Sequence, residues 1–213
     1  MNIAIVTSYT FVSPWKEKWE EQMRTWVPKA KELGIPVYTL IANSNVEDNY
    51  LQVGDFIHYK GISRFKTSPV TGQYIYDISS SFGFDAILKW AKDQDLDYLL
   101  IIDNDLFLEP TRFLNLIEEY SQDSQINYAG HVIPYPHLDY RTYPKLFLPI
   151  SPNKLYYASG GAGMLLSKDS INIASQHFLN EALSYPIESK RGCNDLILGF
   201  TLSKHNIPLY QDG

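Results

Sequence analysis

The sequence predicts an α/β protein built on an open β-sheet flanked by helices. Apolar runs of strand length alternate with segments whose apolar residues recur every three or four positions. The clearest runs are NIAIVTS at 2–8 and YLLII at 98–102, and the clearest helical segment is 79–94. With 213 residues and 45% hydrophobic content, the chain can bury the core of one large domain.

The first half of the chain predicts strands at 2–8, 35–42 and 54–62. Between the first two strands, a tryptophan-rich stripe with spacings of three and four residues predicts a helix that buries this face: Trp15, Trp19, Met23 and Trp26. Pro28 should end or kink that helix. Segment 65–77 has the Pro, Gly, Ser and Thr content of a loop.

The second half predicts a strand at 97–103, a helix that begins at Pro110, and a strand at 126–133. Segment 134–156 is rich in Pro and Tyr, which is typical of a long surface loop. A strand, a glycine-rich turn and a second strand should follow at 155–167, with helices near 167–178 and 193–204.

The overall composition limits the classes of function and location. A net charge of −6 argues against a nucleic-acid partner. Cys193 is the only cysteine, so no intramolecular disulfide can form, which suits a reducing compartment. Neither a signal peptide nor a membrane span is predicted, and we expect a cytoplasmic protein. The strand-like end at IPLYQDG suggests a domain from a longer chain.

Two acids, Asp103 and Asp105, follow the buried strand directly. Ligands of open α/β sheets bind outside the carboxyl ends of the strands, and in an extended chain these two side chains would point to the same side. Two neighbouring carboxylates repel each other unless a cation lies between them, and Mg²⁺ or Mn²⁺ prefers such oxygen ligands. The alternative is that one Asp caps the next helix and the other is exposed.

Two further motifs could serve the same site. In ASGGAGMLLS, Gly160, Gly161 and Gly163 would let the backbone approach a ligand and present N–H donors, although a tight hairpin would use the same residues. In GCNDLILGF, Asp195 lies at a predicted helix start, either as a general base or as an acid facing the helix dipole.

The order of these three motifs resembles that of the GT-A glycosyltransferases, and the glycine loop resembles that of the fringe-like β-1,3-glycosyltransferases. The resemblance implies a Rossmann-like open mixed sheet that binds a UDP-sugar donor and passes a hexose-type sugar to a glycan or glycoprotein, such as a viral capsid glycan. Asp103, Asn104 and Asp105 would form the DxD motif that holds Mn²⁺ or Mg²⁺. Asp195 would be the catalytic base if transfer inverts the anomeric centre.

The same resemblance distributes the remaining contacts. Asn104 is expected at the ribose, and the donor sugar is expected at Ser159, Gly160, Gly161 and Ala162. The nucleotide should lie against the end of the first strand and the start of the helix near 79: Thr7, Ser8, Tyr9, Ser79 and Ser80. Residues 1–105 would then form the nucleotide-binding half, and residues 106–213 the donor-sugar and acceptor half.

The motifs also depart from the family pattern. Asn194 replaces the first of two acids, which leaves an inverting or a retaining outcome open. The histidine that usually completes the metal site has no clear match, so Asp212, or else His205, would be the third ligand, or that ligand would lie beyond Gly213. A phosphatase or nucleotidyltransferase that uses the same acids remains an alternative. So does a carbohydrate-binding module built on the aromatic segment with Tyr135, His137, Tyr140 and Tyr143.

Overall fold

The computed structural model describes most of the chain: residues 1–9, 11, 13–61, 65–67, 74–77, 79–122, 126–134, 156–184, 194–207 and 209–210. Its strands are β1 (Ile3–Ser8), β2 (Val37–Ala42), β3 (Leu51–Val53), β4 (Phe56–Tyr59), β5 (Phe65–Thr67), β6 (Tyr74–Asp77), β7 (Tyr98–Ile101), β8 (Tyr128–Gly130), β9 (Val132–Pro134), β10 (Tyr156–Ala158) and β11 (Met164–Ser167). Its helices are α1 (Trp15–Arg24), α2 (Trp26–Glu32), α3 (Ser79–Asp93), α4 (Pro110–Ser121), α5 (Lys168–Ser184) and α6 (Asn194–Lys204).

Seven strands form one mixed sheet in the order β3-β4-β2-β1-β7-β11-β8. The pairs β1–β2, β1–β7 and β2–β4 are parallel, whereas β11 runs antiparallel to both of its neighbours. The open mixed sheet predicted from the sequence is therefore confirmed. Because β1 and β7 are parallel, their carboxyl ends meet at one edge.

The alternation of side chains along β1 and β7 divides the core between the two faces of the sheet. Ala4 and Val6 pack with residues of α3, α5 and α6 on one face. Ile3 and Ile5 pack with residues of α2 and α4 on the other face. Both sheet faces are thus covered by helices, which explains why the central strands are nearly continuous apolar runs.

The structure changes four local predictions. Segment 65–77, expected as a loop, contains the antiparallel pair β5–β6. The strand expected at 126–133 is two short strands, β8 and β9, which belong to different sheets. Residues 155–167 are not a hairpin, because β10 pairs with β9 while β11 pairs with β7 and β8. The first helix breaks at Thr25, and Pro28 lies within the first turn of α2, where a missing N–H costs little.

Within the described residues, none of the helices combines the length and apolar character needed to cross a membrane. Of the segment 134–156, which the sequence predicted as a surface loop, residues 135–155 lie outside the described part of the chain.

Candidate active site

A cavity of about 350 Å³ opens at the edge where β1 and β7 end. Its walls combine the apolar ends of the central strands and α3 with a polar rim of hydroxyl, amide and carboxylate groups. The lining residues are Val6, Thr7, Ser8, Leu40, Tyr59, Ser80, Phe84, Ile87, Ile101, Ile102, Asp103, Gly160, Gly161, Met164, Asn194 and Asp195. This volume is within the range of small-molecule sites, and the edge is where open α/β sheets bind ligands.

The strand register brings the three predicted motifs to this cavity. Met164 pairs with Ile101, so the glycine segment before β11 lies beside the acids that follow β7. Helices α3 and α6 both begin at the rim, with Ser80 and Asp195 among the lining residues. The N-termini of helices favour anionic ligands because their first N–H groups have no partner within the helix.

The glycine segment forms a single 3-10 turn, Gly160–Ala162, that separates two carboxylates. The N–H of Gly160 donates a hydrogen bond of 3.0 Å to Oδ2 of Asp195. A Cβ atom on Gly161 would lie 3.8 Å from Oδ2 of Asp103. Gly163 closes the turn with φ +95°, a conformation that L side chains rarely adopt. The turn thus holds Asp103 and Asp195 on either side of exposed backbone.

Asp195 lies in the first turn of α6 with its carboxylate fixed by two backbone donors. Besides the Gly160 bond, its Oδ1 accepts a hydrogen bond of 2.8 Å from the N–H of Leu196. Gly199 explains how α6 comes so close to β10, since a Cβ there would lie 2.5 Å from Cβ of Tyr157. The glycine four residues after Asp195 therefore lets the helix pack closely enough for the carboxylate to meet the turn.

Asn194, which replaces an acid of the family pattern, joins α6 to α3. Its Oδ1 accepts a hydrogen bond of 2.8 Å from Oγ of Ser81, and its Nδ2 donates one of 3.2 Å to Oγ of Ser80. An ionised carboxylate at this position could accept from both serine hydroxyls but could donate to neither. Asn194 thus joins the beginnings of α3 and α6 at the cavity rim.

The two acids after β7 point in different directions. The chain turns at Asn104 and Asp105 instead of remaining extended, so Asp103 lines the cavity and Asp105 lines a separate groove beside α1. There Oδ2 of Asp105 accepts a hydrogen bond of 3.1 Å from Nζ of Lys18. Asn104 also lines the groove and donates through Nδ2 to the carbonyl oxygen of Trp15 at 3.3 Å.

The carboxyl of Asp103 has the least favourable electrostatic surroundings of the site. Surrounding protein removes part of its solvent, and Asp105 and Asp195 add repulsion, so its pKa is raised. Its side chain still meets solvent at the cavity mouth. No ion pair between described residues involves Asp103 or Asp195.

These carboxylates fit a divalent ion in part. Among the described residues no group of three or more His, Cys, Asp or Glu could by itself hold a metal ion. Mg²⁺ and Mn²⁺ are commonly held by one or two carboxylates, with waters and substrate phosphates completing the coordination. Asp103 and its neighbouring acids are hard oxygen ligands of this kind, and an ion there would offset their mutual repulsion.

Other predicted site residues lie outside the cavity wall. Tyr9 packs edge-on against Trp19 with ring centroids 4.8 Å apart, and Ala162 lines an apolar groove on the other side of the glycine turn. Ser159 begins the glycine turn, with its N–H donating to the carbonyl of His131 at 2.9 Å. The side chain of Ser79 and the whole of Asp212 lie outside the described residues.

His205, the other candidate for a third metal ligand, follows the last turn of α6 and stacks on His177 with ring centroids 4.2 Å apart. Asp195 lies ten positions earlier, at the beginning of the same helix. At a rise of about 1.5 Å per residue, the length of α6 separates the two side chains. The structure does not bring His205 to the acids.

Gln22 is a site residue that the sequence analysis missed. It occupies the tryptophan stripe of α1 between Trp19 and Trp26, with the same spacings of three and four residues. A polar residue on a face predicted to be buried needs hydrogen-bond partners inside the protein, which was the available signal. Those partners include the carbonyl groups of Asp103 and Leu106.

Fold and site together define a class of protein: an α/β enzyme with carboxylates beside a glycine turn at the carboxyl edge of its sheet. A family model described as "Fringe-like" matches residues 2–211, so the chain belongs to the Fringe-like family. The protein is therefore a glycosyltransferase, and its open mixed sheet is the GT-A fold expected from the sequence. The alternatives of a phosphatase, a nucleotidyltransferase and a non-catalytic sugar-binding module are set aside.

Two solved structures resemble the chain at low sequence identity. One is a glycosyltransferase involved in the glycosylation of the major capsid of PBCV-1, with 14% identity, a TM-score of 0.44, and coverage of 87% of this chain and 68% of that one. The other is mouse xyloside xylosyltransferase 1, with 10% identity, a TM-score of 0.47, and coverage of 98% and 83%. Comparison with curated proteins finds no match. The family assignment rests on the family model.

Proposed function

We propose that the protein transfers a hexose-type sugar from a UDP-sugar to a hydroxyl group of a glycan or glycoprotein, with Mn²⁺ or Mg²⁺ bound beside Asp103. The observation that carries the proposal is that Asp103 and Asp195 face one cavity from the two sides of the glycine turn. The N-termini of α3 and α6 and the N–H of Gly161 at the same rim suit the diphosphate of such a donor.

The nucleotide end of the donor is assigned to the β1 side of the cavity. Thr7 and Ser8 end β1, Ser80 is in the first turn of α3, and all three line the wall. The hydroxyl of Thr7 is already engaged, because it donates to Oε1 of Gln22 at 2.9 Å. Thr7 therefore contributes shape, while Ser8 and Ser80 supply polar atoms.

The diphosphate is assigned to the acid turn, which is the segment 103–106 that follows β7 and carries Asp103 and Asp105. A divalent ion supplies Lewis-acid stabilisation of the negative charge that develops on the departing UDP. Asp103 holds that ion from the cavity side. Asp105 can join it only if its carboxylate exchanges Lys18 for the ion, since that lysine is now 3.1 Å away.

The donor sugar is assigned to the glycine turn and Asp195. The backbone N–H of Gly161 orients its hydroxyls, whereas that of Ala162 already donates to the carbonyl of Ser159 at 3.0 Å. Asp195 keeps lone pairs beyond the two that accept from Gly160 and Leu196. If transfer inverts the anomeric centre, this carboxylate accepts the proton of the attacking hydroxyl; if transfer retains it, the carboxylate orients the sugar.

The acceptor is proposed from resemblance alone. The motif order of the sequence resembles the N-terminal glycosyltransferase domain of a large chlorella-virus protein, which would make the acceptor a viral capsid glycan and the site of action the host cytoplasm. The same resemblance supports the division into a nucleotide-binding half, 1–105, and a donor-sugar and acceptor half, 106–213, within a longer chain. Asp212 would supply a further ligand to the divalent ion.

The experiment measures release of UDP, GDP or CMP from a panel of nucleotide sugars, with Mn²⁺, with Mg²⁺ and with chelator. We expect metal-dependent release of UDP from a UDP-hexose. The anomeric configuration of a product formed with a simple alcohol acceptor, read by NMR, then distinguishes the two roles of Asp195. Release of only GDP or CMP, or undiminished UDP release in chelator, would contradict the proposed donor or the metal.

A further inference from the structure

Gln22 is a buried amide, 3% exposed, that connects three parts of the fold. Its Oε1 accepts a hydrogen bond of 2.9 Å from the hydroxyl of Thr7 at the end of β1. Its Nε2 donates to the carbonyl oxygens of Asp103 at 2.9 Å and Leu106 at 2.8 Å. One side chain on α1 therefore links the first strand to both ends of the turn that carries the two acids.

The chemistry of these contacts specifies a glutamine. Two carbonyl acceptors converge on one nitrogen that carries two protons, and a hydroxyl donor meets the amide oxygen. Glutamate has the same length but, when ionised, would turn acceptors towards both carbonyls. Methionine has a similar volume and replaces neither donor. A hydrogen bond to each carbonyl thus depends on this amide.

Besides Gln22, the acid turn is tied to α1 by two longer side-chain contacts, from Asn104 to the carbonyl of Trp15 at 3.3 Å and between Asp105 and Lys18 at 3.1 Å. Beyond Ile102, whose N–H donates to the carbonyl of Val6 at 3.0 Å, the turn leaves the sheet ladder. Its own closing bond, from the N–H of Leu106 to the carbonyl of Asp103, is long at 3.3 Å. The carbonyl of Asp103 therefore receives its shorter hydrogen bond from Gln22, which fixes the residue whose side chain enters the cavity.

We infer that Gln22 is a positioning residue of the metal and diphosphate site, an inference that rests on the proposed function. Its side chain is not part of the cavity wall, so it acts through the backbone of the acid turn. By holding the carbonyls of Asp103 and Leu106, it directs the Asp103 carboxylate into the cavity and the Asp105 carboxylate towards α1. Loss of these bonds lets the turn move and separates the acids from the place of the diphosphate.

The test compares Gln22→Met and Gln22→Glu with the matched control Ser170→Ala. Ser170 is also fully buried and donates one hydrogen bond, of 2.6 Å, to the carbonyl of Asn127. It lies three residues after Ser167, which pairs with the first residue of β7 and so marks the opposite end of the sheet. The control therefore removes a buried hydrogen bond without touching the acid turn.

Two readouts are taken at a temperature where circular dichroism shows every variant folded. The first is the affinity for UDP with Mn²⁺, by calorimetry. We expect both Gln22 variants to lose about tenfold or more, because small displacements of ligand-holding groups have effects of that order, and the control to keep the parent affinity. The second is hydrogen exchange of the Leu106 amide, which we expect to be faster in both Gln22 variants only.

The two readouts separate this inference from the function on which it rests. Parental affinity in a folded Gln22→Met or Gln22→Glu protein would overturn the inference, even if the variant were less stable. Equal losses of affinity in Ser170→Ala would also overturn it, because they would reveal a general effect of stability. No Mn²⁺-dependent UDP binding by the parent itself would instead overturn the proposed function, whatever the exchange of Leu106.

Discussion

Asp103 and Asp105 are two residues apart, yet their surroundings differ in charge, solvent and partner. Asp103 enters a cavity where another carboxylate, Asp195, is its neighbour and where no lysine of the described residues pairs with it. Asp105 lies in the groove beside α1, where Lys18 is its counter-ion. Loss of solvent, followed by repulsion from Asp105 and Asp195, raises the pKa of Asp103, whereas Asp105 has the exposed Lys18 as its ion-pair partner.

The difference between the surroundings of Asp103 and Asp105 indicates which of the two carboxylates would gain more from an added cation. An exposed ion pair such as that of Lys18 and Asp105 is worth about 0.2–1 kcal/mol and exchanges readily. The carboxylate of Asp103 has no such partner among the described ion pairs and faces the space that a diphosphate would occupy. We therefore propose Asp103 as the principal metal contact and Asp105, after release of Lys18, as the second.

The largest effect should come from Asp195, the second carboxylate on the cavity side. Asp195→Asn keeps the shape of the side chain but removes the charged acceptor, so we expect UDP release from the donor to fall about 10²–10⁴-fold. UDP affinity with Mn²⁺ should remain near that of the parent. Full activity in this variant would exclude Asp195 as base.

The next largest effect is expected when either acid of the turn, Asp103 or Asp105, is replaced by alanine. We expect Asp103→Ala to abolish the gain in UDP affinity that Mn²⁺ provides, because Asp103 already faces the cavity, and Asp105→Ala to lose most of that gain. Calorimetric titration of UDP with and without Mn²⁺ measures both. If Asp105→Ala alone kept the parental gain, Asp105 would belong to the lysine pair and not to the metal site.

A smaller effect is expected at Lys18, on the groove side. Lys18→Met frees Asp105, so we expect Mn²⁺–UDP affinity to rise about two- to fivefold, the size of an exposed ion pair. Lys16→Met is the control, because Lys16 lies on the same helix and pairs with Glu20 at 3.5 Å. A fall in affinity for Lys18→Met would show that the lysine itself binds the diphosphate.

The smallest effect concerns Asp85 of α3, a carboxylate that has a lysine partner but little solvent. Burial raises its pKa, although Lys89 at 2.7 Å partly offsets this. Because the folded form then binds its proton more tightly than the unfolded form, Asp85 makes stability fall as pH rises through its folded pKa. We expect Asp85→Asn to flatten that fall in urea unfolding, and Lys89→Met to steepen it; the same slope in all three proteins would contradict this.

The sequence predicted that the candidate site lies at the carboxyl ends of the central strands, and these strand ends form much of the cavity wall. Strand and helix periodicity places β1, β7, α3 and α6. The parallel pairing of β1 with β7 brings Ser8 and Asp103 to one edge, and the beginning of α6 adds Asp195. The glycine turn was predicted too, although not that its two strands belong to different sheets.

The direction in which the Asp105 side chain points could not be predicted, because it depends on contacts with residues that lie far away along the chain. Local residues allowed an extended segment that would align both acids. Gln22, 81 positions before Asp103, donates to the carbonyl of Asp103 from α1, and no local pattern of the sequence indicates that contact. Segment 65–77 was missed for a simpler reason: its Pro and Gly content indicates a loop, yet such residues are compatible with a short hairpin pair.

The most direct measurement of the central claim is the location of Mn²⁺ in solution. Addition of UDP with Mn²⁺, but not with Mg²⁺, should broaden NMR signals of nuclei near the ion. The account predicts that the amides of Gly160 and Gly161, on the cavity side of the acid turn, lose their signals first, while those of Glu17 and Glu21, which line the groove side, are affected less. Loss centred on Glu17 and Glu21 with the glycine turn unaffected would contradict it.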